Sequence, residues 1–323
     1  MTGPALTGPA LTGAAWTGAS TATSVPHLLP YQGSKRLLAP AILATLGTRR
    51  FSRMIEPFCG SAALTLAAAG RDLAEHFVLA DGYAPLAALW SLAVDAPDEL
   101  ASGYEAIWSA QHGDPAGHYQ AERALFHQEP TPARLLYLLA RAVKNAPRWA
   151  RDGRFNQSPD HRRSGVHPDK VAVAARQVAA LLRGRCSVRS ADFRAVLADA
   201  RDGDFVYLDP PYVGTSQGRD RRYAAGLAAT EVEAALAALQ RKRVAIVVSY
   251  DGRTGDRVYA PPLSPALGLH HIELAAGRSS QATLLGRREV TVESLYVGGA
   301  LLRADGAASR APAPVGAPLA AET

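Results

Sequence analysis

Cysteine is almost absent from this chain. Cys59 and Cys186 are the two in 323 residues, and they fit neither a metal-ligand nor a redox spacing. That excludes a disulfide framework and a zinc-ribbon-like site, and it makes a reducing cytoplasm the expected compartment. No basic-then-apolar leader opens the sequence and no apolar run reaches about 18 residues, so neither export nor membrane insertion is expected. A metal-spaced His/Cys set is missing too, which leaves a metalloenzyme without support. What is present is a chain with 48% hydrophobic residues, enough for a substantial core. Its 35 Lys and Arg against 29 Asp and Glu suit a polyanionic partner, although many basic proteins bind no nucleic acid.

The ends differ from the middle. Residues 1–25 open on a short repeat (TGPAL, TGPAL, TGAAW, TGAS) rich in Gly, Pro and Thr, a composition that cannot bury a face and is expected to be disordered. The Ala/Pro/Gly-rich stretch 303–323 reads the same way. Between them strands and helices alternate, the mark of an α/β sheet. Phe51–Glu56, His76–Asp81, residues 185–189, Asp204–Leu208 and Val244–Ser249 read as strands, with His270–Leu274 and Glu289–Val297 closing the set. Helices are expected over Ser61–Ala69, Pro85–Val94, 169–183, 192–199 and Thr230–Gln240. The alternation is interrupted at 96–168 by a block that is helical throughout from Pro97 to Asn145 and then becomes a charged loop. The expected organisation is therefore a catalytic domain of residues 26–95 and 169–300 with 96–168 inserted into it.

The strongest local signal is Asp209-Pro210-Pro211-Tyr212, directly after the apolar strand Phe205-Val206-Tyr207-Leu208. In an open α/β sheet, ligand sites form at the carboxyl ends of strands. Two prolines fix the backbone there and remove two amide donors, leaving carbonyls free for a ligand. The Asp209 carboxylate and a proline carbonyl can each accept one N–H of an amino group, so that its lone pair faces an electrophile. Tyr212 offers a face on which a base withdrawn from a duplex can stack. Upstream, Glu56-Pro57-Phe58-Cys59-Gly60-Ser61-Ala62 joins a strand to a small-residue helix and is not the G-x-G-x-x-G of a dinucleotide site. Asp81 ends the next strand, where a carboxylate can accept from ribose hydroxyls. In Tyr31-Gln32-Gly33-Ser34-Lys35, Gly33 permits a close turn and Lys35 can pair with a carboxylate of ligand or protein.

These four elements, in this order, make the chain from Leu29 to Val297 resemble the Dam-like N6-adenine DNA methyltransferases. The resemblance implies a Rossmann-like methyltransferase sheet carrying an inserted, mainly helical DNA-recognition domain. It implies S-adenosylmethionine as cofactor, contacted by Tyr31 and Lys35, cradled by the turn at Phe58 and Gly60, and bound through its ribose by Asp81. Asp209, Pro210, Pro211 and Tyr212 would hold the target adenine, with Asp209 also near the cofactor. Double-stranded DNA is the implied partner, and the resemblance leaves room for a cognate restriction endonuclease. Asn145, Arg148 and Gly153-Arg154-Phe155-Asn156 are similar to the family's recognition hairpin. Tyr223, Ser249, Arg278, Ser279 and Glu293 stand where the family has a Tyr, a strand-ending Ser, an Arg-x-Ser and a Glu-Leu strand.

The sequence departs from that pattern in places. Ala62 replaces a second glycine, Asp81 is followed by Gly82-Tyr83, and Lys144-Asn145-Ala146-Pro147-Arg148 lacks the family's glycine and is shortened. From Arg141 to Lys170 eight Lys and Arg face three Asp, which suits phosphate contacts, with Trp149 and Phe155 as wedges beside a displaced base. Arg148 and Asn145 are the base-contact candidates; Arg154 and Asn156 come with the hairpin; Arg162 and Arg163 read as phosphate contacts. Arg219, Arg221 and Arg222 form a second basic cluster. An N4-cytosine or RNA N6-adenine methyltransferase shares this chemistry, and a DNA-binding protein with a vestigial methyltransferase fold is the alternative of another class.

Overall fold

Short apolar runs separated by long crossovers favour parallel strands, because only a crossover returns the chain to the same edge of a sheet. The computed structural model describes residues 25–150, 152–211, 227–254, 257–258, 261–278 and 290–303. The leader, most of the tail, Tyr212, the Arg219–Arg222 cluster, Tyr223 and Ser279 lie outside the described residues. Five strands run parallel: β1 (Phe51–Glu56), β2 (Ala74–Asp81), β3 (Cys186–Ser190), β4 (Asp204–Leu208) and β5 (Ala245–Thr254). A two-residue β6 (Arg257–Val258) folds back on the end of β5. β7 (His270–Arg278) and β8 (Val290–Gly299) complete an eight-stranded sheet ordered β3-β2-β1-β4-β5-β8-β7, in which β8 is antiparallel to both neighbours.

Alternation along the strands divides the interior in two. Met54, Phe77, Leu79, Phe205, Tyr207 and Val247 point into one buried cluster, while Ile55, Val78, Val206, Leu208, Ile246 and Val248 point into the other. The second face is covered by α8 (Phe193–Ala198) and α9 (Ala229–Arg241). The first is covered by α1 (Ala39–Ala44), α2 (Ala63–Ala69), α3 (Ala84–Asp95) and α7 (Pro168–Leu182), and the last helix, α10 (Ala300–Arg303), adds Leu301 to it.

The block expected to be helical from Pro97 to Asn145 is three helices: α4 (Pro97–Ser109), α5 (Pro115–Gln128) and α6 (Pro132–Arg141). The breaks have local causes. Asp114 and Thr131 cap the second and third helices by accepting from the amides of Gly117 and Arg134, and each helix starts on proline, which needs no donor there. Leu100, Tyr104, Tyr119, Tyr137 and Phe155 of this block share one buried cluster with Phe77 and Leu79 of the sheet. The insertion thus has no separate core. Its charged loop folds as a narrow hairpin: Ala150 N–H donates to Arg154 O at 2.8 Å and Asn156 N–H to Arg148 O at 2.7 Å, with the turn at Gly153 (φ +82°).

Candidate active site

The chain leaves β1 toward β2 on one side and returns beside β1 as β4 on the other, so the strand order reverses between β1 and β4. Ligands collect at such a switch point, beyond the carboxyl ends of the strands. A cavity of about 470 Å³ lies there, in the size range of nucleotide-like ligands. Glu56, Asp81 and Asp209, the last residues of or first beyond β1, β2 and β4, all line it. Tyr31, Lys35, Phe58, Gly60, Pro210 and Pro211 line it as well, so every described residue assigned to the catalytic or cofactor set falls in one cavity.

The Phe58–Ala62 turn is held from several sides. Trp90 Nε1 donates to Gly60 O at 2.8 Å, and the Ser61 and Ser34 hydroxyls meet at 2.8 Å, joining the turn to the Tyr31–Lys35 segment. Gly60 adopts φ +46° with the Tyr31 ring 3.6 Å from where a Cβ would stand. Ala62, at the position of the missing glycine, keeps the left-handed conformation (φ +49°) despite its methyl group. Asp81 accepts the Tyr83 amide at 2.9 Å and the Gly60 amide at 3.5 Å, and burial lifts its carboxyl to about 6.

Lys35 is buried, and its ammonium meets protein carboxylates: both Asp209 oxygens at 2.9 Å and Glu293 Oε1 on β8 at 3.3 Å. Burial raises the Asp209 carboxyl to about 6, with Glu293 pushing the same way and Lys35 opposing. Glu56 is fully enclosed and accepts from the Thr65 amide at 3.2 Å and the Thr65 hydroxyl. Burial nonetheless lifts it to about 8, so Glu56 is a neutral acid at neutral pH. Sequence reasoning assigned Glu56 no role. It also passed over Tyr83, Asp192 and Phe193, which line the cavity, and Trp149, read as a wedge for DNA, lines it as well. For Asp192 and Phe193 the signal was available, since they follow the carboxyl end of β3 as Asp81 ends β2.

The recognition candidates are placed differently from one another. Arg154, Asn156, Arg162 and Arg163 are exposed. Arg154 pairs with Asp152 at 2.6 Å, and Arg162 and Arg163 pair with the buried Asp160 at 3.2 and 3.3 Å. Arg148 is half-buried. Asn145 is engaged by its own fold: its amide donates to Leu139 O at 3.1 Å and Ala140 O at 3.4 Å, closing α6, and its oxygen accepts from Arg163. Two expectations need correction. Arg141, counted in the basic loop, is a core residue donating to Pro115 O. Trp149 and Phe155 are not projecting wedges, because both are buried, packed on each other, and Trp149 also meets Tyr83 at 4.3 Å between centroids. Among the described residues no cluster of three or more His, Cys, Asp or Glu could hold a metal ion, and no helix is long and apolar enough to cross a membrane.

A mostly parallel sheet in this order, with an Asp-Pro-Pro turn opening into a cavity at its switch point, is that of a Rossmann-like methyltransferase. The chain belongs to the D12 class N6 adenine-specific DNA methyltransferases, whose family model matches residues 31–254. It is also similar to the type II methyltransferase M1.LlaDCHI of Lactococcus lactis subsp. cremoris, with 25% identity over 196 residues. That match takes in 58% of this chain and spans 66% of the relative.

Proposed function

We propose that this protein transfers a methyl group from S-adenosylmethionine to the N6 amine of an adenine flipped out of double-stranded DNA. The observation that carries the reading is Asp209-Pro210-Pro211 at the end of β4, lining one cavity with Asp81 and the Gly60 turn. The residues present suit the cofactor. Asp81 offers a carboxylate to ribose hydroxyls, the left-handed Gly60 lets a ligand approach the backbone, and Tyr31, Phe58, Tyr83 and Phe193 supply apolar walls. When bound, S-adenosylmethionine supplies an electrophilic methyl on a sulfonium, whose sulfur keeps the bonding pair as the N–C bond forms.

Asp209 and the Pro210 carbonyl accept the two amine hydrogens and so direct the nitrogen lone pair into the cavity. The nitrogen is cationic once its new bond has formed, and the proton it sheds passes to the Asp209 carboxylate and on to solvent. Tyr212 stacks on the extruded base. Residues 96–168 act as the target-recognition part, with Arg148, Arg154, Asn156, Arg162 and Arg163 as its DNA contacts. Asn145 shapes the hairpin base through its backbone, since Asn145 O accepts from Gln32 N–H of the Tyr31–Lys35 segment at 2.9 Å. The type II designation of the Lactococcus relative favours pairing with a restriction endonuclease.

Tritium transfer from labelled S-adenosylmethionine to plasmid DNA tests the reading, with a digest identifying the methylated nucleoside. Asp209→Ala is expected to lower the rate by at least about 100-fold, or roughly 2.7 kcal/mol, with the fold intact by circular dichroism. Activity within about threefold of wild type, or methyl groups on cytosine, would overturn it.

A further inference from the structure

A second cavity, of about 370 Å³, lies between α5 and the hairpin. Gln120, Arg123, Ala124 and His127 line it from the helix, and Arg154 and Asn156 from the hairpin. Tyr119, Arg123 and His127, four residues apart, stand in one row on α5. That row grips the returning strand of the hairpin. The Tyr119 hydroxyl and Arg123 Nη1 donate to Gln157 O at 3.1 and 3.3 Å, and His127 Nε2 donates to Phe155 O at 2.9 Å. A guanidinium carries its N–H donors in a planar fork, so this one bond leaves most of the Arg123 donors for a ligand. Among the described residues no carboxylate pairs with Arg123 and none lines the cavity, whereas Arg154 on the opposite wall has Asp152 at 2.6 Å.

We infer that this cleft binds a phosphate of the DNA backbone, with Arg123 as the anchor and Gln120 and Asn156 as neutral donors beside it. The inference rests on the proposed action on double-stranded DNA. Arg123 is half-buried, and a cation held there without a counter-ion is costly. A phosphate that accepts two parallel N–H bonds from the fork removes that cost. The place also suits the substrate. Trp149 lines the active-site cavity, Phe155 lines this one, and their rings lie 5.6 Å apart, so the two cavities back onto one aromatic pair. At about 3.4 Å per step along a strand, a phosphate held here is within roughly half a helical turn of an adenine in the active-site cavity. The contact reads no base and fixes the duplex against the hairpin. α5 thereby joins the DNA-facing surface, which the charge pattern of the sequence placed in the loop after it.

The test uses the full chain, with binding of a labelled mixed-sequence duplex read by fluorescence anisotropy at several salt concentrations. Arg123→Gln removes the charge, while Gln157 O keeps the Tyr119 hydroxyl. It should weaken duplex binding at least about fivefold at low salt and flatten the salt dependence by about one unit, the loss of one phosphate contact. Arg123→Lys, which keeps the charge, should restore the wild-type salt dependence. Ala124 is exposed, so Ala124→Glu adds a carboxylate to the cleft without removing a contact. It should weaken the duplex at least as much as Arg123→Gln. Both variants should raise KM for plasmid DNA with kcat and S-adenosylmethionine affinity within about twofold of wild type. An unchanged salt dependence in Arg123→Gln, or duplex binding within about twofold of wild type in Ala124→Glu, overturns the inference. Duplex binding that depends on both residues in a protein that methylates no DNA leaves the cleft standing and defeats the proposed function. Methylation of DNA with wild-type duplex binding in both variants does the reverse, and a wild-type chain that binds no duplex overturns both.

Discussion

Asp81 and Glu56 end neighbouring strands and line one cavity, yet their surroundings give them different duties. Asp81 accepts two backbone amides and is lifted to about 6, so it is an anion at neutral pH and keeps acceptor capacity for hydroxyls. Asp81→Ala is expected to weaken S-adenosylmethionine at least tenfold by calorimetric titration while leaving DNA affinity nearly unchanged, because a hydrogen bond to a charged group is worth about 1.5–3 kcal/mol. Unchanged cofactor binding would remove Asp81 from the site. Glu56 differs because burial raises it to about 8. Between its unfolded value, near 4.5, and about 8 the native protein holds a proton that the unfolded chain releases. Stability therefore falls as pH rises through that window. Glu56→Gln abolishes the titration. Relative to wild type, its urea midpoint should be higher at pH 9 than at pH 5, by the equivalent of at least about 2 kcal/mol, since each tenfold change in proton affinity is worth about 1.4 kcal/mol. Equal offsets at both pH values would show that Glu56 is ionised in the folded state. Asp209 and Asp81 were legible in the sequence because strand-end carboxylates follow a pattern. The Glu56 pairing was not, since it depends on Thr65 being carried back over the strand end by the Gly60–Ala62 turn.

At the scale of elements, agreement was close wherever periodicity and local breakers pointed the same way. β1 and β4 match their expected bounds, and α3, α7, α8 and α9 differ by a residue or so. The disagreements lie where one signal hid another. Caps at Asp114 and Thr131 divide what reads as continuous helix, and α1 was not anticipated. The stretch from Ala146 to Pro159 reads from composition as a charged loop, and only the family resemblance pointed to a hairpin, because its pairing is set by burial of Trp149 and Phe155 and not by a run of strand formers. The entry to that hairpin carries strain. Lys144 and Asn145 both sit in the left-handed region, at φ +58° and +51°. Asn tolerates this conformation, but a lysine does so at a cost. Lys144 is exposed, so removing its side chain uncovers no core. Lys144→Gly should therefore stabilise the fold by about 0.5–1 kcal/mol, read as a shift in the denaturation midpoint with unchanged slope. A loss of stability would show that the lysine side chain holds the turn.

For the whole molecule, the expected division into a catalytic domain and an inserted one rests on chain order, and residues 96–168 have no buried core of their own. Residues of α4, α5, α6 and the hairpin share a buried cluster with β2 and β4, and α7 lies against both α3 and α4. Sequence order shows where a segment interrupts a pattern, whereas the sharing of one interior depends on aromatic residues such as Tyr104 and Tyr137 meeting the sheet face across long separations. Scanning calorimetry should accordingly give one transition, with van't Hoff and calorimetric enthalpies equal within about 10%. Two resolved transitions would mean that the insertion melts by itself. The shared interior also bears on how the proposed target-recognition part could be exchanged. Exchanging residues 96–168 for those of another enzyme would graft half of a jigsaw onto a sheet cut for a different half. Freedom to diverge is left to the exposed rim, at Asp152–Arg154, Asn156 and His161–Ser164. On the proposed recognition role of residues 96–168, retargeting by design is a matter of single side chains on that rim, not of interchangeable parts.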